Sequence, residues 1–203
     1  MTELTPRDVE MITFLQKGFV ADTNLLNDLF FHSIKPCHRR LAKLYRSGFL
    51  TRGRHDSREP FVYYQGRLPK NVKYALTKTR IFTRFKNSQL TILDYRSNYQ
   101  LVTLPVDLFL IVETPQHTIL PILIDLKLKG TFQVKRMEEA FSNNDIFALI
   151  VNTLRQIAPI DNIIIVACAP KNMTSKLFTH EYLRPAQLEE DLAALIQKLE
   201  QFN

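Results

Sequence analysis

The sequence predicts a mixed chain, α/β in its second half and α+β overall, divided into two units near residue 86. Three observations predict this. Up to residue 86 apolar residues recur at helical spacing between cap signals, whereas from about residue 90 they run in strand-like blocks. The charge changes sign at the same place. Residues 1–86 hold 17 Lys and Arg against 7 Asp and Glu, a net of +10, and residues 87–203 hold 10 against 13, a net of −3. Finally, 203 residues, 45% of them apolar, suit one or two compact units with a real core.

Several classes are disfavoured at once. Ten prolines and only five glycines argue against a low-complexity chain. Apolar runs such as 108–112 and 122–124 are far too short to span a bilayer. The opening MTELTPRDVE has no basic segment followed by an apolar one, so a cytoplasmic protein without a membrane partner is expected. Cys37 and Cys168 sit apart within apolar patterns and read as buried thiols. No zinc-type Cys/His cluster, phosphate-binding Walker loop or glycine-rich dinucleotide fingerprint is present.

The first helix opens on Thr5 as N-cap, with Pro6 at the first helical position and Asp8 in the first turn, where a negative charge is favoured. Val9, Ile12 and Leu15 follow at helical spacing, and Gly18 ends the element. Asp22 caps a second short helix with Leu25, Leu26, Leu29 and Phe30 on its apolar face. Ser33 is the candidate cap of a third, expected from about Pro36 to Arg46 and closed by Gly48.

In that third helix Cys37, Leu41 and Leu44 form a buried stripe at i, i+4 and i+7. Arg39, Arg40, Lys43 and Arg46 fall off the stripe and are expected to face outward, with Lys35 and His38 beside them. An apolar back and a cationic front suit a helix that reads the major groove. Arg can fork onto the O6 and N7 of guanine, and Lys and Arg hold phosphates. A merely solvated basic helix is the plainer alternative.

Phe49–Arg52 then reads as a strand, TRGRHDSREP as a polar turn and Phe61–Tyr64 as the returning strand. The hairpin tip would carry Arg52, Arg54, His55 and Arg58. Three short helices followed by a basic hairpin is the winged helix-turn-helix plan, with the wing lying along the DNA backbone or minor groove. LPKNVKYALTKTRIFTRFK continues the positive charge into a linker helix. Residues 1–86 are therefore expected to bind double-stranded DNA. A winged helix can instead bind another protein, but the concentrated charge favours a polyanion.

Residues 87–203 open with three candidate strands, TILDY, PVDLFLIVE and ILPILIDLKLK, the last two separated by the turn-like TPQH. A hairpin centred near Pro115 and Gln116 places Asp107 opposite Ile124 or Asp125. Alternation puts Ile122, Ile124, Leu126 and Leu128 on one face and Leu123, Asp125, Lys127 and Lys129 on the other. Asp107, Asp125 and Lys127 can then meet. Two carboxylates and a lysine can bind Mg2+ or Mn2+ and activate water for phosphodiester cleavage. A solvent-facing charged hairpin is the alternative.

Lys135–Phe141 reads as a helix, and SNND restarts another through Phe147, Ile150, Val151, Leu154 and Ile157, stopped by Pro159. Glu138 and Glu139 are candidate additional metal ligands, though solvated helix charges are the commoner case. Asn162–Ala167 reads as a strand buried on both faces. The final helix carries Leu188, Leu192, Leu195, Ile196 and Leu199, with Glu189, Glu190 and Asp191 in its first turns. It either caps its own unit or pairs with a second copy in a homodimer.

Pro105-Val106-Asp107, then seventeen residues, then Asp125-Leu126-Lys127 resembles the PD-(D/E)xK nuclease signature over roughly residues 90–170. A valine separates the proline from the aspartate. That resemblance implies a nuclease-like α/β unit, active or silent. The whole layout is similar to the replication-relaxation family of bacterial mobile-element proteins. LTPRDVEMITFL, CHRRLAKLYRSGFLTR, FVYY, PVDLFLIVE and ILIDLKLK carry the likeness over roughly residues 4–168. It implies a nucleoid-associated plasmid or phage protein that binds DNA near an origin or promoter. Arg39, Arg40 and Lys43 would be contacts, and a replication or transfer protein a possible partner. The family usually has arginine after the second carboxylate; Lys127 departs from it and keeps catalysis open.

Overall fold

The computed structural model describes residues 3–129, 134–157, 162–171, 174–175 and 180–202. These form a mixed α/β chain with seven helices, one 3-10 turn and two sheets. The chain divides into two compact units, Met1–Thr83 and Arg84–Asn203. No helix among the described residues is long and apolar enough to cross a membrane.

The first unit runs α1 (Pro6–Gln16), β1 (Ala21–Asp22), α2 (Thr23–Phe30), α3 (Ile34–Arg46), β2 (Thr51–Gly53), β3 (Val62–Tyr64) and the start of α4 (Val72–Lys86). The strands form an antiparallel sheet in the order β1-β3-β2, with Ala21 across from Tyr63 and Arg52 across from the same Tyr63. β1 is two residues long, too short to leave a periodic signal in sequence. Thr5 caps α1 in a capping box: its backbone N–H and hydroxyl donate to Asp8, and its hydroxyl accepts from the Asp8 N–H.

The buried side of α1 is Asp8, Met11, Phe14 and Leu15; Leu15 is buried as expected, but Val9 and Ile12 are not, and Val9 is 51% exposed. The helix is turned so that Phe14 stacks on Phe19 at 4.3 Å and meets Phe82 at 5.1 Å. Two large aromatic contacts outweigh one valine. α2 is capped by the Asp22 carboxylate, which accepts from the Leu25 N–H at 2.9 Å.

α3 begins two residues before Pro36, because proline is tolerated in a first turn where its missing N–H had no partner to lose. Its end is a Schellman closure. Gly48 takes φ +76°, its N–H donates to the Tyr45 carbonyl, and the Phe49 N–H donates to the Leu44 carbonyl. Cys37, Leu41 and Leu44 are fully buried, as the stripe required.

The second unit runs β4 (Thr91–Leu101), β5 (Leu104–Glu113), β6 (Ile119–Leu126), α5 (Val134–Ser142), α6 (Asn144–Arg155), β7 (Ile164–Cys168), β8 (Glu181–Leu183), a 3-10 turn (Pro185–Gln187) and α7 (Leu188–Glu200). The sheet order is β4-β5-β6-β7-β8. β4, β5 and β6 form an antiparallel meander, and β7 and β8 add in parallel. β4 extends well beyond TILDY, because an edge strand tolerates the polar run RSNYQ.

β6 ends at Leu126, so Leu128 and Lys129 lie beyond the strand rather than on its two faces. Both faces of β6 are covered: Ile122, Ile124 and Leu126 on one, Leu123 and Asp125 on the other. Leu123 belongs to a core with Phe109, Ile111, Val134, Met137, Ala140, Ile150 and Leu154, which places α5 and α6 over the aspartate side of the sheet. Phe147 is 40% exposed and off the buried stripe of α6, which consists of Ile150 and Leu154. Pro159 lies outside the described residues. The Leu192, Leu195, Ile196 and Leu199 stripe of α7 is buried within the chain, and Lys198 pairs with Glu181 of β8.

A cationic helix face and an acidic pocket

Two candidate sites emerge, one in each unit. On α3 the side chains of Lys35, His38, Arg39, Lys43 and Arg46 are exposed. Lys35, Arg39, Lys43 and Arg46 stand at i, i+4, i+8 and i+11, so they form one row along the helix, opposite the buried stripe. The helix contains no acidic residue.

Arg40 corrects the expectation that it faces outward with this row. Its side chain is 17% exposed and turns back to α1. The Arg40 Nε donates to both oxygens of the fully buried Asp8, at 3.0 and 3.1 Å. Its Nη2 also meets Asp8 and donates to the Glu3 carbonyl at 2.7 Å. Burial alone would push the Asp8 carboxyl up. Hydrogen bonds from Arg40 and Thr5 outweigh that and hold it at about 2. Arg40 therefore fastens α3 to α1.

The hairpin is also rearranged relative to expectation. Arg52 lies within β2, half-buried, rather than at the tip. Its guanidinium stacks over the rings of Tyr45 at 4.2 Å and Phe61 at 4.5 Å. Arg54 lies over Phe61 at 4.6 Å and donates to the Ser57 carbonyl. His55 is 2.8 Å from the Pro69 carbonyl, and Arg58 is exposed in the turn. Tyr45 and Phe61 were not foreseen as part of this face; both are large aromatics exposed beside arginines. Such stacking fixes guanidinium direction at little entropic cost.

In the second unit the β5–β6 register pairs Leu108 with Ile124, and one step further sets Asp107 across from Asp125. This is the second of the two expected registers. Lys127, just past the strand end, donates to Asp125 at 2.9 Å and lies 3.9 Å from Asp107. Asp107 accepts from the Leu126 N–H at 2.7 Å. The three predicted residues are thus brought together.

They line a cavity of about 60 Å³ with Leu104, Pro105, Arg136 and Met137. Arg136 was missed, since nothing in its spacing links it to Lys127. Asp125 is only 7% exposed. Burial pushes its carboxyl above the usual range and the neighbouring Asp107 adds to this, against the opposing pull of Lys127. Asn98 of β4 lies between Ser97 and Tyr99, which pair with Leu108 and Val106 on either side of Asp107; its backbone is left-handed at φ 52°, a conformation asparagine tolerates better than most residues.

Glu138 and Glu139 do not join this cavity. Glu138 accepts from Ser175 at 2.8 Å, and Glu139 is exposed. Among the described residues no three His, Cys, Asp or Glu side chains are grouped to hold a metal. Two carboxylates match a hard cation such as Mg2+, which takes the rest of its shell from water and phosphate oxygens. They do not match a four-ligand zinc cage. Cys37 and Cys168 are buried, and burial pushes their thiols up to about 11 and about 12, so both are inert.

Comparison with known protein families, with curated proteins and with solved structures returns no match to this chain.

Proposed function

We propose that the chain binds double-stranded DNA through its first unit, read as a winged helix with α3 as the recognition helix and the β2–β3 hairpin as the wing. The row Lys35, Arg39, Lys43 and Arg46 carries this reading, since it offers one unbroken cationic edge with an apolar back. Arg52 and Arg54, stacked on Tyr45 and Phe61, would lie along the backbone beside it. By its likeness to replication-relaxation proteins, the chain would act as a regulator or accessory factor in replication, transfer or transcription of a mobile element.

The test is the salt dependence of duplex binding. Log K falls with log salt by about 0.9 per phosphate contacted, so Arg39→Ala with Lys43→Ala should make the slope shallower by roughly 1.8 and lower affinity. Unchanged slope and affinity would remove α3 from the interface. Arg40 is left intact, because its loss would confound binding with folding.

A second reading is favoured by the convergence of Asp107, Asp125 and Lys127: a nuclease-like unit that cleaves DNA. An antiparallel meander followed by a parallel crossover strand agrees with that plan. Asp107 and Asp125 would hold a divalent cation, which when bound polarises the phosphodiester and acidifies water. Lys127 orients the Asp125 carboxylate and places an ammonium where charge develops on phosphate oxygens. Supercoiled plasmid with magnesium or manganese should be nicked by the native protein and not by Asp125→Ala. Equal nicking by both would exclude this cavity as the cutting site.

A further inference from the structure

We infer that the Asp107–Asp125–Lys127 cavity is a binding site for phosphate oxygens, and that Arg136 of α5 is its anion-holding arm. This rests on the second reading only for the identity of the cavity, and it names the group that holds the substrate there. Arg136 lines the same cavity as the two aspartates and the lysine. Lys127 is engaged by Asp125 and Asp107. Among the described residues Arg136 makes no hydrogen bond or ion pair, so its guanidinium fork is available.

Helix stability does not account for this arginine. It stands in the first turn of α5, where a cation opposes the macrodipole, and that turn has no acidic residue to compensate. Charge points the same way. The cavity lining carries two carboxylates, one ammonium and one guanidinium, so a divalent cation held by the carboxylates would leave a positive excess for an anion. An arginine fork matches two oxygens of one phosphate, a geometry lysine lacks.

The cavity is small, about 60 Å³, and its polar lining is Asp107, Asp125, Lys127 and Arg136. The ligand is recognised there by its phosphate oxygens, either in a nucleic-acid backbone or as free phosphate.

The experiment is an amide-resolved NMR titration of the full chain, with inorganic phosphate in one arm and the thymidine dinucleotide TpT in the other. Each arm is run in EDTA and in magnesium. Saturable shifts at the Leu126, Lys127 and Arg136 amides are expected in at least one arm. The arm that shows them identifies the source as free phosphate or phosphodiester. Arg136→Gln should weaken binding by roughly tenfold or more, the effect of one lost charge-assisted contact, and Arg136→Lys should restore part of it. No saturable shift at the cavity in either arm, or equal affinity in Arg136→Gln, overturns the inference. Binding without any plasmid nicking would sink the cleavage reading alone, and nicking without an Arg136 effect would sink this one alone.

Discussion

Asp8 and Asp125 are both nearly inaccessible aspartates beside a cation, yet their acidities move in opposite directions. Asp8 has a guanidinium bonding to both of its oxygens and a threonine supplying two further donors. Asp125 shares one lysine with a second carboxylate. Burial raises both; only in the first cluster do the donors outweigh it. The contrast separates a structural lock, in which the buried carboxylate is fully supplied with donors, from a buried carboxylate that receives a hydrogen bond from one lysine and has a second carboxylate beside it. Perturbed groups of the second kind concentrate at functional sites.

The largest expected effect breaks the lock. Asp8→Ala removes the Asp8 half of the capping box and the Arg40 hydrogen bonds together, while the Thr5 hydroxyl can still accept from the backbone N–H of residue 8. Lost charge-assisted bonds cost about 1.5–3 kcal/mol and breaking a buried ion pair about 3–5, so the first unit should lose about 3 kcal/mol. Amide hydrogen exchange of α1 and α3 measures it within that unit. A loss below about 1 kcal/mol would return Arg40 to the exposed row and to the DNA-binding candidates.

Acid should release the same lock without a mutation. The Asp8 carboxyl titrates at about 2 in the folded protein against an ordinary 3.8, so its contribution is complete above the unfolded value and is lost as pH falls toward 2. The shift corresponds to about 2 kcal/mol. Exchange protection of α1 should fall between about pH 4 and pH 2, and Asp8→Ala should lack that limb. An identical limb in the variant would assign the acid sensitivity to other carboxylates.

How far the sequence could foretell this contrast depends on how local each cause is. Thr5, Pro6 and Asp8 announce the start of α1 because a capping box is complete within four residues. Asp107, Asp125 and Lys127 were legible because hairpin register and strand alternation carry over nineteen residues with only two options. Arg40 was not, since residues 39 and 40 look alike until α1 packs against one of them. Val9 and Ile12 misled for a similar reason: the rotation of α1 is decided by Phe14, Phe19 and Phe82, which are distant in sequence. Arg136 was invisible because its place depends on how α5 lies over the sheet.

The smallest effect sharpens the contrast most. Asp125→Asn keeps the shape of the side chain and removes the charge that burial disfavours. Lys127 loses one partner but is 29% exposed and retains Asp107 nearby, so it stays solvated. The second unit should therefore keep its stability or gain up to about 1 kcal/mol, as happens when a strained functional group is relieved. A carboxyl pKa raised in the folded state means that the native protein binds the proton more tightly than the unfolded chain. Stability of the second unit should then fall as pH rises through that raised value, and Asp125→Asn should flatten the decline. Urea melts followed by exchange at β5 and β6 would measure both. If Asp125→Asn instead costs as much as Asp8→Ala, the two clusters are the same kind of lock, and the pocket loses the feature that marks it as a site for chemistry.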